Sequence, residues 1–267
     1  MPRQERDTSR CTLRSWARLS GIAATIFEHR CLNMSFTEHV PRFEDHLTEW
    51  FNSGEHCRCH QGPQLDTQLD LSFCLTPLWH HSFITLHANL DLLEHAIGRD
   101  GSYISDAALD YVRSWVASPA SKRCLLHALL IQNLSLSTTL NSAVALHTPR
   151  ILFAAALCWQ CYIAYSPWLS SYIARDASSS EKELSEYLME LPEVRLLGQN
   201  RDHSGCAQNM PKVEDTVSEL WNILRSTPAE MNVRTVCVLE STLRRLPTGG
   251  ISQRFADIIQ ACILKGK

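Results

Sequence analysis

The feature that most constrains this fold is a dipeptide, Ser or Thr followed by Pro, that recurs along the chain. A Ser or Thr hydroxyl can cap a free backbone N–H at the start of a helix. Pro fits the first helical turn, because the N–H that it lacks is not needed there. Each dipeptide therefore predicts the start of a helix. The four copies are Thr76-Pro77, Ser118-Pro119, Thr148-Pro149 and Thr227-Pro228.

Apolar residues between and beyond these starts repeat with the spacing of a helix. Ile104, Ala108, Tyr111 and Trp115 step by four, three and four residues, which places them on one face. No alternating run of β-branched residues is bracketed by hairpin turns such as Asn-Gly. The sequence therefore predicts an all-α fold, in which several helices pack around one core.

Two segments have the composition of linkers. Residues 56–70 are rich in Gln, Gly, Pro and Cys, and residues 199–211 are rich in Asn, Ser and Gly. We therefore predict amphipathic N-terminal helices in residues 1–55, a core helical region in residues 71–198 and C-terminal helices in residues 212–267. The two ends are expected to pack on the middle region.

Charge and cysteine content limit the classes of function. The formal net charge is -3, from 25 Lys and Arg against 28 Asp and Glu. A protein that binds a phosphate backbone unaided usually carries a basic excess, so DNA binding by this chain alone is not expected. Eleven cysteines, several of them within apolar runs, indicate buried thiols in a reducing compartment. No apolar signal segment follows the N-terminus, which predicts the cytosol or the nucleus.

One uncharged stretch raises the alternative of a membrane-associated protein. Residues 151–174 contain no charged side chain and are long enough to span a bilayer. Gln160, Pro167 and several serines interrupt this stretch, which leaves an apolar segment at residues 151–165. That length favours a buried core helix over a membrane span.

Two groups of thiols and imidazoles are candidates for metal or redox chemistry. Residues 56–60 read His-Cys-Arg-Cys-His, but structural zinc sites need spaced ligand pairs on two elements, so a polar loop is the favoured interpretation. Cys158 and Cys161 have the spacing of a redox pair, but they fall far from the helix start that would lower a thiol pKa. We predict that both are small core groups.

A polar helix face is the candidate for a small helical enzyme or ligand carrier. On one continuous helix, His87, Asp91, Glu94 and His95 would share a face and could hold a metal. The favoured interpretation is a polar surface on which Asp91 and Glu94 pair with Arg99 or another cation. No catalytic motif, such as a nucleophile elbow or a phosphate-binding glycine loop, occurs in the chain, so we predict that it is not an enzyme.

The middle third of the chain also contains a distinctive order of residues. In sequence they are Leu78-Trp79-His80, Leu86-His87, Leu90-Asp91, Leu93-Glu94, Gly98-Arg99-Asp100-Gly101, Arg113, Trp115, Arg123-Cys124, His127-Ala128, His147-Thr148-Pro149-Arg150, Leu152-Phe153, Ala155-Ala156, Trp159 and Tyr162. This order resembles the fungal-specific transcription factor domain, the regulatory region that accompanies the zinc-finger or zinc-cluster module of many fungal regulators, particularly those with C2H2 fingers.

The resemblance implies an α-helical regulatory domain that controls RNA polymerase II transcription in the nucleus. It implies contacts with DNA-binding or transcription-machinery proteins and a small effector as a candidate ligand, with a homodimer also open and no membrane involved. The family's zinc belongs to a separate DNA-binding module, which nothing here matches. We therefore expect no cofactor in this chain, and DNA contact only indirectly or through a zinc-finger region outside it.

Within the resemblance, a set of polar and aromatic residues is the candidate binding site. We expect no catalytic or metal-binding residues among them. The candidates for contact with an effector or a partner are His80, His87, Asp91, Glu94, Arg99, His127 and Trp159.

Overall fold

The computed structural model describes residues 3–32, 36–53, 75–99, 101, 103–136, 145–166, 177–199, 213–247 and 250–265. The predicted linker at residues 56–70, with the thiol and imidazole group at residues 56–60, lies outside them, and so does the predicted linker at residues 199–211 apart from Gln199, which ends a helix. The described part is 88% helical and contains no strand, which confirms the predicted all-α fold. Within it, no helix combines the length and the apolar character needed to cross a membrane.

We number the helices α1 to α12 in chain order. α11 is continuous over three segments, of which the middle one is a π-helical turn. The bounds are α1 Arg3–Cys31, α2 Phe36–Asn52, α3 Thr76–His87, α4 Leu90–Ala96, α5 Asp106–Ala117, α6 Pro119–Leu136, α7 Thr148–Tyr165, α8 Ala177–Glu190, α9 Pro192–Gln199, α10 Val213–Leu224, α11 Pro228–Met231 with Asn232–Val236 and Cys237–Arg245, and α12 Gly250–Lys265.

All four predicted helix starts are confirmed to within one residue. The predicted capping is confirmed at Thr227, whose hydroxyl accepts from the Glu230 N–H in a full capping box. It is wrong at Thr76 and Thr148, which are themselves the first helical residues and follow Leu75 and His147 without a side-chain cap. The residue before each Thr already adopts the right-handed helical conformation, so the hydroxyl is no longer at the capping position.

The helical face predicted to contain His87, Asp91, Glu94 and His95 does not exist, because the helix is interrupted. α3 ends at His87, Ala88 is extended, and α4 begins at Leu90. Asn89 accepts a hydrogen bond from the Leu92 N–H and so caps a new helix. His87 therefore belongs to a different helix from the three residues that follow it.

α7 lies at the centre of the fold. Every residue from 151 to 163 is buried, and α3, α4, α5, α6, α11 and α12 all pack against this helix. The part of the uncharged run from residue 151 to residue 163 is therefore surrounded by protein. Cys158 and Cys161 are fully buried in the same helix, which confirms their prediction as core groups.

The two ends of the chain join this core through different helices. α1 and α2 pack against each other and against α3, while α11 and α12 pack against each other and against α7. Leu19 and Leu47 from the N-terminal helices and Leu239 and Ile259 from the C-terminal helices all belong to one buried apolar cluster. The packing places α2, α3, α6 and α9 around a set of buried polar side chains.

Candidate functional site

Six polar residues from four helices form what we call the buried cluster. They are Glu44 on α2, His80 and His87 on α3, Arg123 and His127 on α6, and Glu193 in the first turn of α9. Helical spacing explains part of this arrangement, since Arg123 and His127 are four residues apart and His80 and His87 are seven apart. Each pair therefore projects from one face of its helix.

Arg123 is the cation of the buried cluster and joins its two carboxylates. Its Nε lies 2.5 Å from Glu193 Oε1, and its Nη1 lies 2.5 Å from Glu44 Oε1. The Arg123 and Glu193 side chains are only 5% and 0% exposed. His87 Nε2 lies 3.3 Å from the same Glu44 oxygen and extends the cluster to the end of α3.

His127 connects the ion pair to a second imidazole. Its Nε2 lies 3.3 Å from Glu193 Oε1, and its Nδ1 lies 2.9 Å from His80 Nδ1. A carboxylate can only accept, so His127 Nε2 donates, and in the neutral ring His127 Nδ1 then accepts from the His80 Nδ1–H. This tautomer leaves His80 Nε2 as a buried acceptor with no hydrogen-bond partner among the described residues.

Aromatic rings enclose the cluster on the side of α3. Phe83 stacks on His127 at a centroid distance of 4.8 Å and an angle of 4°, and its centroid lies 5.3 Å from the Arg123 guanidinium carbon. Trp79 lies edge-on to Phe83 and donates from Nε1 to the Leu47 carbonyl. These rings exclude water from one side of the ion pairs, which strengthens their electrostatic interaction.

The acids and the imidazoles of the buried cluster respond differently to this environment. Burial would raise the pKa of Glu193, but the hydrogen bond from His127 and the hydrogen bond and charge of Arg123 outweigh it and lower that pKa to about 2. Burial lowers the pKa of His80, His87 and His127, in spite of the carboxylates beside them. The expected state is therefore one cation, two carboxylates and three neutral imidazoles.

A second polar group, the surface cluster, consists of Asp91, Glu94, His95 and Arg99 at α4 with Arg150 on α7. Arg99 Nη1 lies 2.5 Å from Asp91 Oδ1 and 3.4 Å from Glu94 Oε2, and Arg150 Nη2 lies 2.7 Å from Glu94 Oε1. The predicted pairing of Asp91 and Glu94 with Arg99 is confirmed. Gly98, whose φ is 93°, turns the chain so that Arg99 folds back over α4.

The structure thus divides the predicted candidate residues into three groups. His80, His87 and His127 meet in the buried cluster, whereas Asp91, Glu94 and Arg99 meet on the surface. Trp159 is fully buried in α7, and the ion pairs of the two clusters do not include it. Among the described residues, no group of three or more His, Cys, Asp or Glu could hold a metal ion.

Sequence reasoning did not select Glu44, Arg123 or Glu193 as site residues. A local signal for Arg123 was available, since it lies one helical turn before His127, at the start of a stretch in which residues 124–131 are otherwise apolar. For the acids no local signal exists, because each pairs with Arg123 across 70 or more residues of sequence. They come together only through the fold, in which α2 packs on α3, α9 packs on α2, and α3 packs on α6.

Two surface clefts lie away from the buried cluster. One, of about 270 Å³, lies between the end of α4, α7 and α12 and borders the surface cluster. Its lining is mainly apolar and includes Ile97, Phe153, Phe255 and Cys262. The other, of about 300 Å³, lies between α1 and α2 and is lined by Gly21, Ile22, Thr25, His29, His39, Arg42, Phe43 and His46.

The buried cluster contributes no residue to either of these two clefts, and its Arg123, His127 and Glu193 side chains are at most 5% exposed. Its geometry therefore suits a structural role, in which charges hold four helices in one arrangement. The chain was also compared with known proteins. No protein-family model, no curated protein and no solved structure matches it.

Proposed function

We propose that this chain is a helical regulatory domain of a fungal transcription regulator that acts through contacts with other proteins and does not itself bind DNA. The proposal rests on the order of residues between Leu78 and Tyr162, which resembles the fungal-specific transcription factor domain. The net charge of -3 supports the part of the proposal that excludes direct binding to DNA.

The observation that supports the proposal best is the position in the fold of the residues on which the resemblance rests. Trp79, Arg123, His127 and Trp159 are all buried, and they lie on the three helices α3, α6 and α7 that pack closely on one another. Trp115, on α5, is also buried and donates from Nε1 to the His87 carbonyl. Two proteins that share a helical framework are expected to resemble each other in the residues that pack its helices. Two proteins that share a reaction are expected to resemble each other in residues that line an open cleft.

The exposed surface contains apolar side chains of the kind that form protein contacts. Large apolar side chains that are well exposed include Trp16, Phe27, Tyr103 and Leu146. Aromatic side chains of this kind commonly anchor protein interfaces, because they bury a large area at a small cost in conformational entropy.

The test is to tether the full chain to a heterologous DNA-binding domain and to measure transcription of a reporter in fungal cells. We expect transcription to change relative to the DNA-binding domain alone, in either direction. The matched variants are Arg123→Met, which removes the cation of the buried cluster, and Arg150→Met, which removes an exposed one. The effect should disappear with the first and persist with the second. An unchanged reporter at equal protein level, with a folded protein, would overturn the proposal.

A ligand carrier is the second candidate, and the cleft beside α4 favours it. The cleft has an apolar lining, with Phe153 and Phe255 stacked 4.4 Å apart, and the polar residues Glu94 and Arg99 at its border. This is the composition of many small-molecule sites. Ala261 also lines this cleft, and Ala261→Trp would fill it. Saturable binding of a fluorescent apolar probe that is lost in this variant would support a carrier. Binding that is equal in both proteins would exclude this cleft as the site.

A further inference from the structure

α1 and α2 form an antiparallel helical pair with an open cleft of about 300 Å³ between them. His29, near the end of α1, lies edge-on to His39, near the start of α2, at a centroid distance of 5.0 Å. Farther along the pair, Trp50 Nε1 donates to the Ser15 carbonyl. The volume of the cleft is at the lower end of the range for small-molecule sites, so a small organic molecule could occupy it.

One face of each helix supplies the lining of this cleft. The lining residues of each helix have the spacing of a single helix face. They are Gly21, Ile22, Thr25 and His29 on α1, and His39, Arg42, Phe43 and His46 on α2. Phe43 is only 5% exposed, whereas Thr25 and Arg42 are exposed. The cleft therefore has an apolar floor and a polar rim, which is the arrangement that fixes the orientation of a bound molecule.

The lining contains one permanent cation and three imidazoles but no acid. Arg42 is always charged, and each imidazole can donate a hydrogen bond. No ion pair or hydrogen bond joins the Arg42 side chain to another residue of the described part of the chain. Glu44, on the same helix, pairs with Arg123 in the buried cluster. The other described acids of the two helices are exposed and do not line the cleft: Glu28, Glu38, Asp45 and Glu49. A bound anion could therefore serve as the partner of Arg42.

Three imidazoles in one cleft raise the alternative of a metal site. Among the described residues, however, no group of three or more His, Cys, Asp or Glu could hold a metal ion. The guanidinium of Arg42 would also repel a metal cation. The same group attracts an anion and can donate two parallel hydrogen bonds to a carboxylate or a phosphate. The chemistry of the lining therefore favours an anionic ligand.

Two further features of the cleft have no explanation in the packing of the chain. His29 Nδ1 is buried and has no hydrogen-bond partner among the described residues. In folded proteins such an atom often belongs to a functional site. Gly21 lies in the interior of α1, where alanine would be more favourable. Nothing else in the described part of the chain lies within 4 Å of the position that a Cβ would take there, so close packing does not require this glycine. Its effect is to keep that part of the cleft open.

We propose that the cleft between α1 and α2 binds a small organic anion. Arg42 and the imidazoles of the lining hold its carboxylate or phosphate, and Phe43 and Ile22 contact its apolar part. A phosphate monoester should bind more tightly than a carboxylate, because it carries more charge and more acceptor oxygens. The proposal does not depend on the regulatory role, since the cleft lies outside the residues on which the resemblance rests.

Ligand-observed NMR titrations on the full chain test the class of ligand, at about pH 7 in a buffer without phosphate or carboxylate. The probes are phenyl phosphate, benzoate and benzamide, of which benzamide is a neutral molecule with the shape of benzoate. We expect saturable binding of phenyl phosphate with a dissociation constant of about 0.1–1 mM, weaker binding of benzoate and none of benzamide. Tighter binding of benzoate than of phenyl phosphate would assign a carboxylate to the ligand. Equal binding of benzamide and benzoate, or no binding of either anion, would overturn the proposal.

Arg42→Gln tests the cation of the cleft. The variant should raise the dissociation constant of phenyl phosphate at least about ten-fold, because a neutral amide replaces the guanidinium. Its circular dichroism should match that of the wild type, since the Arg42 side chain is exposed. Arg254→Gln is the control, because Arg254 is exposed on α12 and the variant changes the net charge by the same amount. It should alter the constant less than about two-fold. Equal losses in the two variants would show that binding follows the net charge and would overturn the proposal.

Gly21→Leu tests the location of the site without changing any charge. The new side chain would occupy part of the cleft, so the dissociation constant of phenyl phosphate should rise at least about ten-fold. The thermal midpoint should stay the same or rise, because Leu forms helices better than Gly. Gly198→Leu is the control, since Gly198 also has open space around it but lies in the last turn of α9, and it should bind as the wild type does. An unchanged affinity in a folded Gly21→Leu protein would place the ligand outside this cleft and overturn the proposal.

Discussion

The buried cluster and the surface cluster are made from the same kinds of residue but lie in opposite environments. Both combine Arg, Glu and His at similar distances. In the buried cluster the Arg123 and Glu193 side chains are 5% and 0% exposed, whereas in the surface cluster the Arg99 and Asp91 side chains are 40% and 65% exposed. The contrast shows that residue type and distance do not determine what an ion pair contributes, because water access decides how strongly the charges interact.

The physical difference lies in what remains when one partner is removed. Water solvates an exposed charge that has lost its partner, so an exposed ion pair contributes at most about 1 kcal/mol. A buried charge that has lost its partner keeps the full cost of desolvation, which is several kcal/mol. The two clusters therefore allow the same substitution to be made at a buried and at an exposed ion pair of one protein.

Loss of the buried cation should have the largest effect. Arg123→Met keeps most of the side-chain length but leaves Glu44 and Glu193 without their shared guanidinium. We expect the free energy of unfolding to fall by about 3–5 kcal/mol. Arg150→Met is the control, since it removes a guanidinium whose side chain is 45% exposed, and it should lower the free energy by about 1 kcal/mol or less. Urea unfolding, followed by circular dichroism, measures both. Equal losses would mean that the buried ion pair does not form in solution.

A second change should partly reverse the first. Arg123→Met combined with Glu193→Leu removes the buried anion together with its cation, and an apolar pair of similar size avoids the cost of desolvation. We expect the double variant to recover about 2 kcal/mol relative to Arg123→Met alone. The same pair of changes on the surface, Arg150→Met with Glu94→Leu, should show no such recovery. A double variant less stable than Arg123→Met would show that Glu193 stabilises the fold through His127 alone.

The fold could be predicted from sequence because its signals are local. The Pro residues near four helix starts, the apolar stripe of α5 and the apolar run of α7 act within a few turns of chain. The four helix starts, to within one residue, and the burial of α7 were confirmed. The break between α3 and α4 was missed, although Asn89 is a residue that commonly caps a helix. The polar residues on the two sides of the break keep the spacing of one helix, and that spacing led to the wrong prediction of a single polar helix face. The π turn at Asn232–Val236 was also missed, and nothing in its sequence distinguishes it from an α-helical turn.

The site could be predicted only in part, for a reason that follows from packing. His80, His87 and His127 were predicted as candidates together, but the same three residues could line an effector pocket or belong to a buried ion-pair cluster. The buried cluster forms only if Glu44 on α2 and Glu193 on α9 pack beside these histidines. These contacts join positions that are far apart in sequence, and no local pattern in the sequence predicts them.

Acid should weaken the buried cluster through its imidazoles. Burial lowers the pKa of His80, His87 and His127 in the folded protein, while in the unfolded chain they titrate near 6.5. The unfolded state therefore binds more protons below pH 6.5, and stability falls as the pH decreases through that value. Glu193 adds nothing in this window, because its stabilisation is present above 4.5 and is lost only as the pH falls toward 2.

His80→Phe tests this pH dependence. The variant removes one imidazole that stays neutral in the fold, so the slope of stability against pH between about pH 6 and about pH 5 should decrease by up to about 1.4 kcal/mol per pH unit. Urea unfolding at the two pH values measures the slope. His95→Phe, which removes an imidazole from the surface cluster, serves as the control and should decrease the slope less than His80→Phe does. If both variants keep the wild-type slope, the imidazole of His80 is not held neutral by burial.

The smallest loss of stability is expected at Arg99, the residue of the surface cluster with the most polar contacts. Arg99 contacts Asp91, Glu94 and His95, yet it is exposed enough for water to replace each contact. Arg99→Ala should therefore lower the free energy of unfolding by about 1 kcal/mol or less, and that loss should shrink in about 1 M salt, which screens exposed charges. The effect of Arg123→Met should change little in the same salt, because its carboxylates are shielded from ions. A large, salt-insensitive loss at Arg99 would mean that exposure does not separate the two clusters.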